Sequence, residues 1–294
     1  MAPLVHALAI ADSPTLWSPR AAHSTLLHPI FWLHIPKTGS SFTHTVFRFA
    51  CSAHAEIWRH SGGGVHQPHS TCGGNVSSLQ AHLVATNFHT PLPWMPSGAH
   101  RLLPDRVVGL FRRPAQRLLS AFYYMRERPS CCHADWGFGV GSARRQQVGL
   151  FADAAAFARS PGALGCQAKM VLGMRCHQLP TPAGARIDVA RARHFVLREM
   201  AFVGLQDAWT DTVCLFHASF GTPLHAVELS NSRPTATAAK HAGWYNESEL
   251  RGAVDAADEA VYAAALERFR WLSAVLSGPL AECRRSVSHV VGTI

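Results

Sequence analysis

Apolar residues in this chain form short runs that alternate with amphipathic stretches. Two compact runs, Ile30 to Ile35 and Arg106 to Phe111, read as buried strands, and a proline-containing turn follows each of them. A third strand is predicted at Leu83 to Phe88. The first two strands are followed by apolar residues at helical spacing, so the pattern predicts strand–turn–helix units.

Later segments continue the alternation of strands and helices. Helices are predicted at Pro114 to Arg126, Asp188 to Met200 and Asp207 to Phe220, with a short strand at Ala201 to Leu205 between the last two. A capping box of Asn246 and Glu249 predicts a further helix that carries Leu250, Val254, Ala257, Val261, Ala264 and Leu266 on one face. This alternation indicates an α/β fold with a P-loop-like, mostly parallel sheet flanked by helices.

The chain reads as one domain with two extensions. We expect a single domain over residues 29–280, a poorly structured N-terminal extension over 1–28 and a C-terminal tail over 281–294. No stretch approaches the roughly 18 consecutive apolar residues that span a bilayer. The apolar run from Met1 to Ala11 lacks a basic flank and makes a poor signal peptide, so we expect any membrane anchor to be missing from this chain.

Composition and charge narrow the class of partner. Hydrophobic residues make up 48% of the chain, which excludes disordered and fibrous proteins. The 27 Lys and Arg residues against 18 Asp and Glu give a net charge of +9, with 19 histidines besides. A basic chain favours an anionic partner such as a phosphate, a sulfate or an acidic polysaccharide. Nucleic acid is disfavoured because no helix carries a basic stripe interleaved with aromatic residues.

The cysteines and glycosylation sequons bear on the cellular compartment. The eight cysteines include no C-x-x-C pair, so we expect no zinc site, and their pairing stays open. The sequons Asn75-Val76-Ser77 and Asn246-Glu247-Ser248 favour a secretory lumen.

The first candidate site is the turn that follows the first strand, Pro36-Lys37-Thr38-Gly39-Ser40-Ser41. Backbone N–H groups at the start of a helix bind anions, and a glycine lets the ligand approach closely. Lys37 adds a cation, while Thr38, Ser40 and Ser41 add hydroxyl groups. The spacing is not that of a Walker A loop. An ordinary strand–helix turn with a surface lysine is the alternative.

The second candidate site is the segment from Arg112 to Ser120, which follows the strand ending at Phe111. In open α/β sheets the ligands bind at the carboxyl ends of the strands, where this strand delivers Arg112. Ser120 lies eight residues on, within reach of a phosphate that an arginine fork also holds. Alone, this segment is also compatible with a solvated basic turn.

Together, the two segments resemble the nucleotide-binding elements of sulfotransferases that use 3′-phosphoadenosine 5′-phosphosulfate (PAPS). The first turn matches that family's 5′-phosphosulfate loop, and Arg112, Pro114, Arg117 and Ser120 match its 3′-phosphate segment. Arg113 departs from the pattern, since the family has Asp there. Softer likeness to Golgi carbohydrate sulfotransferases of the heparan sulfate 6-O and 2-O type extends from about Phe31 to Trp271.

The resemblance implies a sulfotransferase fold, PAPS as co-substrate and no metal. It implies that Lys37 stabilises the leaving 5′-phosphate and that the nucleotide contacts are Lys37, Thr38, Gly39, Ser40, Ser41, Arg112, Ser120 and Arg233. In such enzymes a histidine before the 3′-phosphate segment removes the acceptor's proton. His89, 23 residues before Arg112, is our first candidate and His82 the second, while His133 lies after that segment and His34 is expected to pack beneath the loop.

Two other classes of function stay open. One is a non-catalytic, lectin-like protein that binds acidic polysaccharide on the same fold, and the other is a P-loop nucleotide kinase. For the enzyme, the acceptor is expected to be a carbohydrate and the compartment the Golgi lumen. The sequence leaves open the sulfated position, the oligomeric state and whether the acceptor is a sugar or a tyrosine.

Overall fold

The core of the protein is a parallel sheet with helices packed around it. The computed structural model describes residues 15–19, 30–39, 42, 83–85, 92, 107–127, 151–180, 185–229 and 244–291. The main sheet contains strands β2 (Ile30–Leu33), β3 (Leu83–Ala85), β4 (Val107–Phe111) and β5 (Met200–Leu205) in the order β3-β2-β4-β5. All three pairings are parallel. The expected α/β class with a parallel sheet is confirmed at this level.

Seven helices are found in the described part of the chain, together with a second, small sheet. The helices are α1 (Pro114–Glu127), α2 (Ala154–Ala158), α3 (Cys166–Val171), α4 (Val189–Arg198), α5 (Trp209–Phe220), α6 (Ala256–Val275) and α7 (Ser277–Val291). Strand β1 (Thr15–Trp17) pairs antiparallel with β6 (Leu224–His225). Among the described residues, no helix has the length and apolar character needed to cross a membrane.

Strand order creates a crevice between β2 and β4. From β2 the chain passes to β3 on one side of the sheet, and it then returns to form β4 on the other side. At such a reversal, the connections from the two adjacent strands run to opposite sides, so a crevice is left at the carboxyl ends of these strands. Ligands of open α/β sheets usually bind there. The turns after β2 and β4 therefore face the same crevice.

An aromatic cluster fixes the helix packing beneath this crevice. Phe216 of α5 lies edge-on to Phe42 and Phe202, with ring centroids 5.4 Å apart in both pairs. Trp32 of β2 packs against the same Phe216 ring at 5.6 Å. Tilted and edge-to-face aromatic pairs of this kind add to the stabilisation from burial alone. The cluster joins β2, β5 and α5 into one hydrophobic core.

The helix predicted from Asn246 is present, but its predicted start is wrong. Asn246 accepts a hydrogen bond from the Ser248 N–H and caps only a short 3-10 turn, Glu247–Leu250. Arg251 (φ +46°) and Gly252 (φ +75°) then turn the chain through left-handed conformations. Helix α6 begins at Ala256, and its N-cap is Asp255. Val254, expected on the apolar face, is 66% exposed.

Packed structure extends beyond the expected boundaries at residues 28 and 280. Strand β1 lies inside the segment for which little structure was expected. Helix α7 continues through the expected tail to Val291, and a Cys214–Cys283 disulfide ties it to α5. A second disulfide joins Cys166 and Cys176. Arg284 of α7 also pairs with Asp211 of α5, with both guanidinium–carboxylate contacts at 2.6 Å.

Candidate functional site

The two predicted nucleotide-binding segments meet at the crevice between β2 and β4. The Arg112 Nη1 atom donates a hydrogen bond to the Lys37 carbonyl oxygen at 3.3 Å. Lys37 itself has a left-handed backbone (φ +65°), which is unusual for a residue with a side chain. Such conformations persist where the surrounding structure imposes them, and they concentrate at functional sites. The sequence placed both segments at strand ends, and the structure brings them into contact.

The Lys37 side chain is directed to helix α1. Its Nζ atom lies 3.8 Å from the centroid of the Tyr124 ring. A cation held over an aromatic face keeps its charge while its position is restricted. The ammonium group is therefore restricted in position by its contact with α1.

Gly39 and Thr38 shape the turn. Gly39 has φ +93°, and a Cβ atom there would lie 2.7 Å from Cζ3 of Trp209. Trp209 is held in turn by its Nε1–H, which donates to the Glu228 carbonyl at 2.9 Å. The buried Thr38 hydroxyl donates to the Ile35 carbonyl at 2.9 Å, so in this state its proton stabilises the turn. Thr38 was expected to offer that hydroxyl to the ligand.

Arg112 is a buried cation with an unused donor. Only 7% of its surface is exposed, and its Nε atom has no hydrogen-bond partner among the described residues. Burial lowers the pKa of Arg112 to about 10, whereas Tyr245 and Asp207 raise it. The guanidinium group therefore stays charged near neutral pH. A buried positive charge with an unsatisfied N–H favours an anionic ligand, and a phosphate oxygen supplies the matching acceptor.

Asp207 is a strand-end carboxylate that the sequence analysis missed. The sequence pattern predicts that Asp207 begins a helix, but it lies in a 3-10 turn between β5 and α5. Its Oδ2 atom accepts a hydrogen bond from the Tyr262 hydroxyl at 2.5 Å, and burial together with this bond raises the pKa of Tyr262. Its buried Oδ1 atom has no partner within the described part of the chain. The signal was its position two residues after the end of a parallel strand.

The other residues of the 3′-phosphate motif have different surroundings. Ser120 is 3% exposed on α1. Arg117, also part of the motif, is buried in the interior, where it lies 3.5 Å from Asp258 and 3.9 Å from Asp255 and donates to the Ala163 carbonyl. Its charge is therefore used within the fold.

A segment after the site packs over α1. The Tyr245 backbone exchanges hydrogen bonds with the Gln116 side-chain amide, both at 3.0 Å, and the Tyr245 ring stacks on Tyr123. The Arg112 guanidinium lies 5.8 Å from the centre of the Tyr245 ring. Arg113, which replaces the family's Asp, pairs with Glu247 on this segment. Arg113 thus helps to hold the segment in place.

Several predicted residues lie outside the described residues. They are His82, His89, His133, Ser40, Ser41 and Arg233. His34 is described, and at 4% exposure it is buried as expected. Among the described residues, no group of three or more His, Cys, Asp or Glu side chains is arranged to hold a metal ion.

Comparison with known proteins adds no relative. The chain matches no protein-family model, no curated protein and no solved structure. The fold and the site geometry are therefore the basis for a functional assignment.

Proposed function

We propose that this protein is a PAPS-dependent sulfotransferase that transfers a sulfuryl group to a hydroxyl of a carbohydrate. The observation that carries the proposal is the hydrogen bond from Arg112 to the Lys37 carbonyl. It joins the two segments that resemble the 5′- and 3′-phosphate elements of that family. A likeness spread over separate parts of the sequence gains weight when those parts meet at the ligand-binding end of the sheet.

The charges in the crevice support a ligand with two anionic groups. Lys37 and Arg112, which follow neighbouring strands, supply two cations. The Arg112 Nε–H has no acceptor among the described residues. In the proposed complex, the turn of Lys37, Thr38, Gly39, Ser40 and Ser41 takes the 5′-phosphosulfate. Arg112, Ser120 and Arg233 take the 3′-phosphate.

The proposed reaction is an in-line transfer. The acceptor oxygen attacks sulfur, and the bond between sulfur and the 5′-phosphate oxygen breaks, leaving its electrons on that oxygen. Lys37 neutralises the charge that develops there. His89 takes the proton of the acceptor hydroxyl, and the products are a sulfate ester and 3′-phosphoadenosine 5′-phosphate (PAP).

We further propose an acidic polysaccharide as acceptor and the Golgi lumen as compartment. The net charge of +9 supports the first. The disulfides Cys166–Cys176 and Cys214–Cys283 support an oxidising compartment, because such bonds persist in the secretory pathway and are rare in the cytosol.

One observation favours a nucleotide kinase as the second candidate. Such an enzyme needs a carboxylate at a strand end to bind Mg²⁺, and Asp207 follows β5. The Walker A loop that a kinase would also need is absent from the sequence. A lectin-like protein would bind polysaccharide without a need for either nucleotide.

Thermal unfolding with PAP, AMP and ATP–Mg²⁺ tests the proposal. A ligand at a hundredfold excess over its Kd stabilises the folded protein by roughly 2.7 kcal/mol. We expect stabilisation by PAP above that by AMP, lost in Arg112→Ala and kept in Arg193→Ala, which removes the same charge from an exposed position on α4. Equal stabilisation by ATP–Mg²⁺ would favour the kinase, and no stabilisation by any nucleotide would favour the lectin.

Transfer of labelled sulfate from PAPS to desulfated polysaccharides tests the chemistry. We expect His89→Ala to lower kcat with little change in the affinity for PAP, since the histidine acts on the acceptor hydroxyl. Lys37→Ala should lower kcat and also weaken PAP binding, because PAP retains the 5′-phosphate whose charge Lys37 neutralises. If His89→Ala retains full kcat, another group removes the proton.

A further inference from the structure

The backbone of Arg112 is held by the side chain of Gln167, a residue 55 positions later in the chain. The Arg112 N–H donates to Gln167 Oε1 at 3.0 Å, and Gln167 Nε2 donates back to the Arg112 carbonyl at 3.0 Å. Gln167 is completely buried. A side-chain amide suits this position because it offers one donor and one acceptor side by side, as a neighbouring strand would.

Arg112 needs such a partner because the sheet ends just before it. The last paired residue of β4 is Phe111, which lies opposite Leu205 of β5, and on the other side the pairing with β2 ends at Gly109. Arg112 therefore lies one residue beyond the ladder. The two hydrogen bonds to the Gln167 side chain therefore satisfy the backbone N–H and carbonyl of Arg112, as pairing with another strand would.

Gln167 is itself fixed through its own backbone. It lies in the first turn of α3, and its N–H donates to Asp258 Oδ2 at 3.0 Å, while the next N–H, from Ala168, donates to Asp258 Oδ1 at 2.9 Å. Asp258 is completely buried on α6. On the other side of Gln167, Cys166 is linked to Cys176 by a disulfide. The residues on both sides of Gln167 are thus held in place, one by a hydrogen bond and the other by a disulfide.

We propose that Gln167 is a positioning residue that gives the site its selectivity for a 3′-phosphorylated nucleotide. By fixing the Arg112 backbone, it fixes the origin of the guanidinium group, whose Nη1 contacts Lys37 and whose Nε is left for the ligand. A guanidinium group binds a phosphate tightly only when its donors are correctly oriented. The inference rests on the proposed function, in which Arg112 binds the 3′-phosphate.

The test compares the Kd values of PAP and AMP, which differ by the 3′-phosphate, in Gln167→Met by titration calorimetry. Met keeps the length of the side chain and removes both hydrogen bonds. We expect PAP to bind about tenfold more weakly, since each bond contributes modestly to the position of a charged group, while the AMP affinity changes less than about twofold. In an Arg112→Ala background the same substitution should leave the PAP/AMP ratio unchanged, because there is no guanidinium group left to position.

A matched control is Thr212→Val. The buried Thr212 hydroxyl bonds both the N–H and the carbonyl of Leu205 at 2.8 Å, so its loss disturbs an equally buried strand end without touching Arg112. The PAP/AMP ratio should stay at the wild-type value in this variant. For the enzyme, Gln167→Met should raise KM for PAPS with little change in kcat.

Several outcomes would overturn the proposal. It falls if Gln167→Met weakens PAP and AMP equally, or if it leaves the affinity for PAP unchanged. Gln167→Leu, which removes both hydrogen bonds without adding a charge, serves if the Met variant does not fold, and loss of folded structure in both would assign Gln167 to the fold rather than the site. If Arg112→Ala itself leaves the PAP/AMP ratio unchanged, the proposed function is wrong, and that result is independent of Gln167.

Discussion

The Arg112 guanidinium and the Lys37 carbonyl are joined by a hydrogen bond although 75 residues separate them in the chain. The bond joins the turns that follow β2 and β4, which are adjacent strands of the sheet. Lys37 accepts this bond with its backbone in the left-handed region (φ +65°). The contact between these two turns therefore exists only when the sheet is formed.

Gly39→Ala should destabilise the protein and weaken nucleotide binding. The new methyl group would lie 2.7 Å from the Trp209 ring at a residue with φ +93°, and we expect a loss of about 1–3 kcal/mol in the free energy of unfolding, measured in urea. Gly252→Ala is the matched control, because Gly252 also has a positive φ (+75°) but nothing within 4 Å of its added Cβ. Equal losses in both variants would show that contact with Trp209 contributes nothing.

Asp207→Asn should strengthen the binding of PAP. The carboxylate favours the charged form of Arg112 but also repels an incoming phosphate, so removing its charge raises the positive potential of the crevice. We expect the Kd of PAP to fall about threefold to tenfold at low salt, and less at high salt. Asp211→Asn, at an exposed ion pair with Arg284, controls for the change in net charge. Weaker binding of ATP–Mg²⁺ in Asp207→Asn, with PAP unaffected, would instead support a metal-binding role.

The free energy of unfolding should fall as the pH rises from about 4 to about 7, because of the titration of Asp258. Burial raises the pKa of Asp258 to about 7, and nearby Asp255 acts in the same direction, while Arg117 and two backbone N–H groups oppose it. In the unfolded chain an aspartate titrates near ~3.9. Between these values the folded state keeps a proton that the unfolded state has lost, so the free energy of unfolding falls with rising pH and levels off above about 7.

Denaturant unfolding across this pH range checks the prediction. The decrease should be on the order of a few kcal/mol, and it should be smaller in Asp258→Asn. Asp188→Asn, which removes an exposed helix-capping carboxylate, should retain the wild-type slope. An unchanged slope in Asp258→Asn would mean that Asp258 is ionised throughout.

Removal of the Cys166–Cys176 disulfide and removal of the Cys214–Cys283 disulfide should have different effects on stability and on binding. The chain-entropy model gives a loss of roughly 4 kcal/mol for Cys214–Cys283, with a separation of 69 residues, and roughly 3 kcal/mol for Cys166–Cys176, with a separation of 10. We expect the double alanine variant at Cys166 and Cys176 to lower the PAP/AMP affinity ratio as well, because Gln167 adjoins that bond. The double variant at Cys214 and Cys283 should keep the ratio, and a drop there would show that the site depends on overall stability.

Local pattern was sufficient for much of the secondary structure. The strands at β4 and β5 and the helices α1 and α4 lie within one or two residues of their predicted limits. Hydrophobic runs and turn residues act over a few positions, so they can be read without the fold. The helix start predicted at Asn246 is wrong because two consecutive residues with a left-handed backbone, Arg251 and Gly252, separate the capping box from the helix. In the sequence, only the glycine indicates this break.

The sequence by itself determined the order of strands and helices and the position of the two turns that follow β2 and β4, because periodicity, prolines and glycines are local properties. Tertiary structure decided which of the motif residues share a crevice. Arg112 and Arg117 are both arginines of one motif, yet one faces the Lys37 turn and the other is buried beside Asp258. It also placed Asp207 and Gln167 around Arg112. Those contacts depend on the strand order β3-β2-β4-β5, which is fixed only when the hydrophobic faces of distant segments pack together.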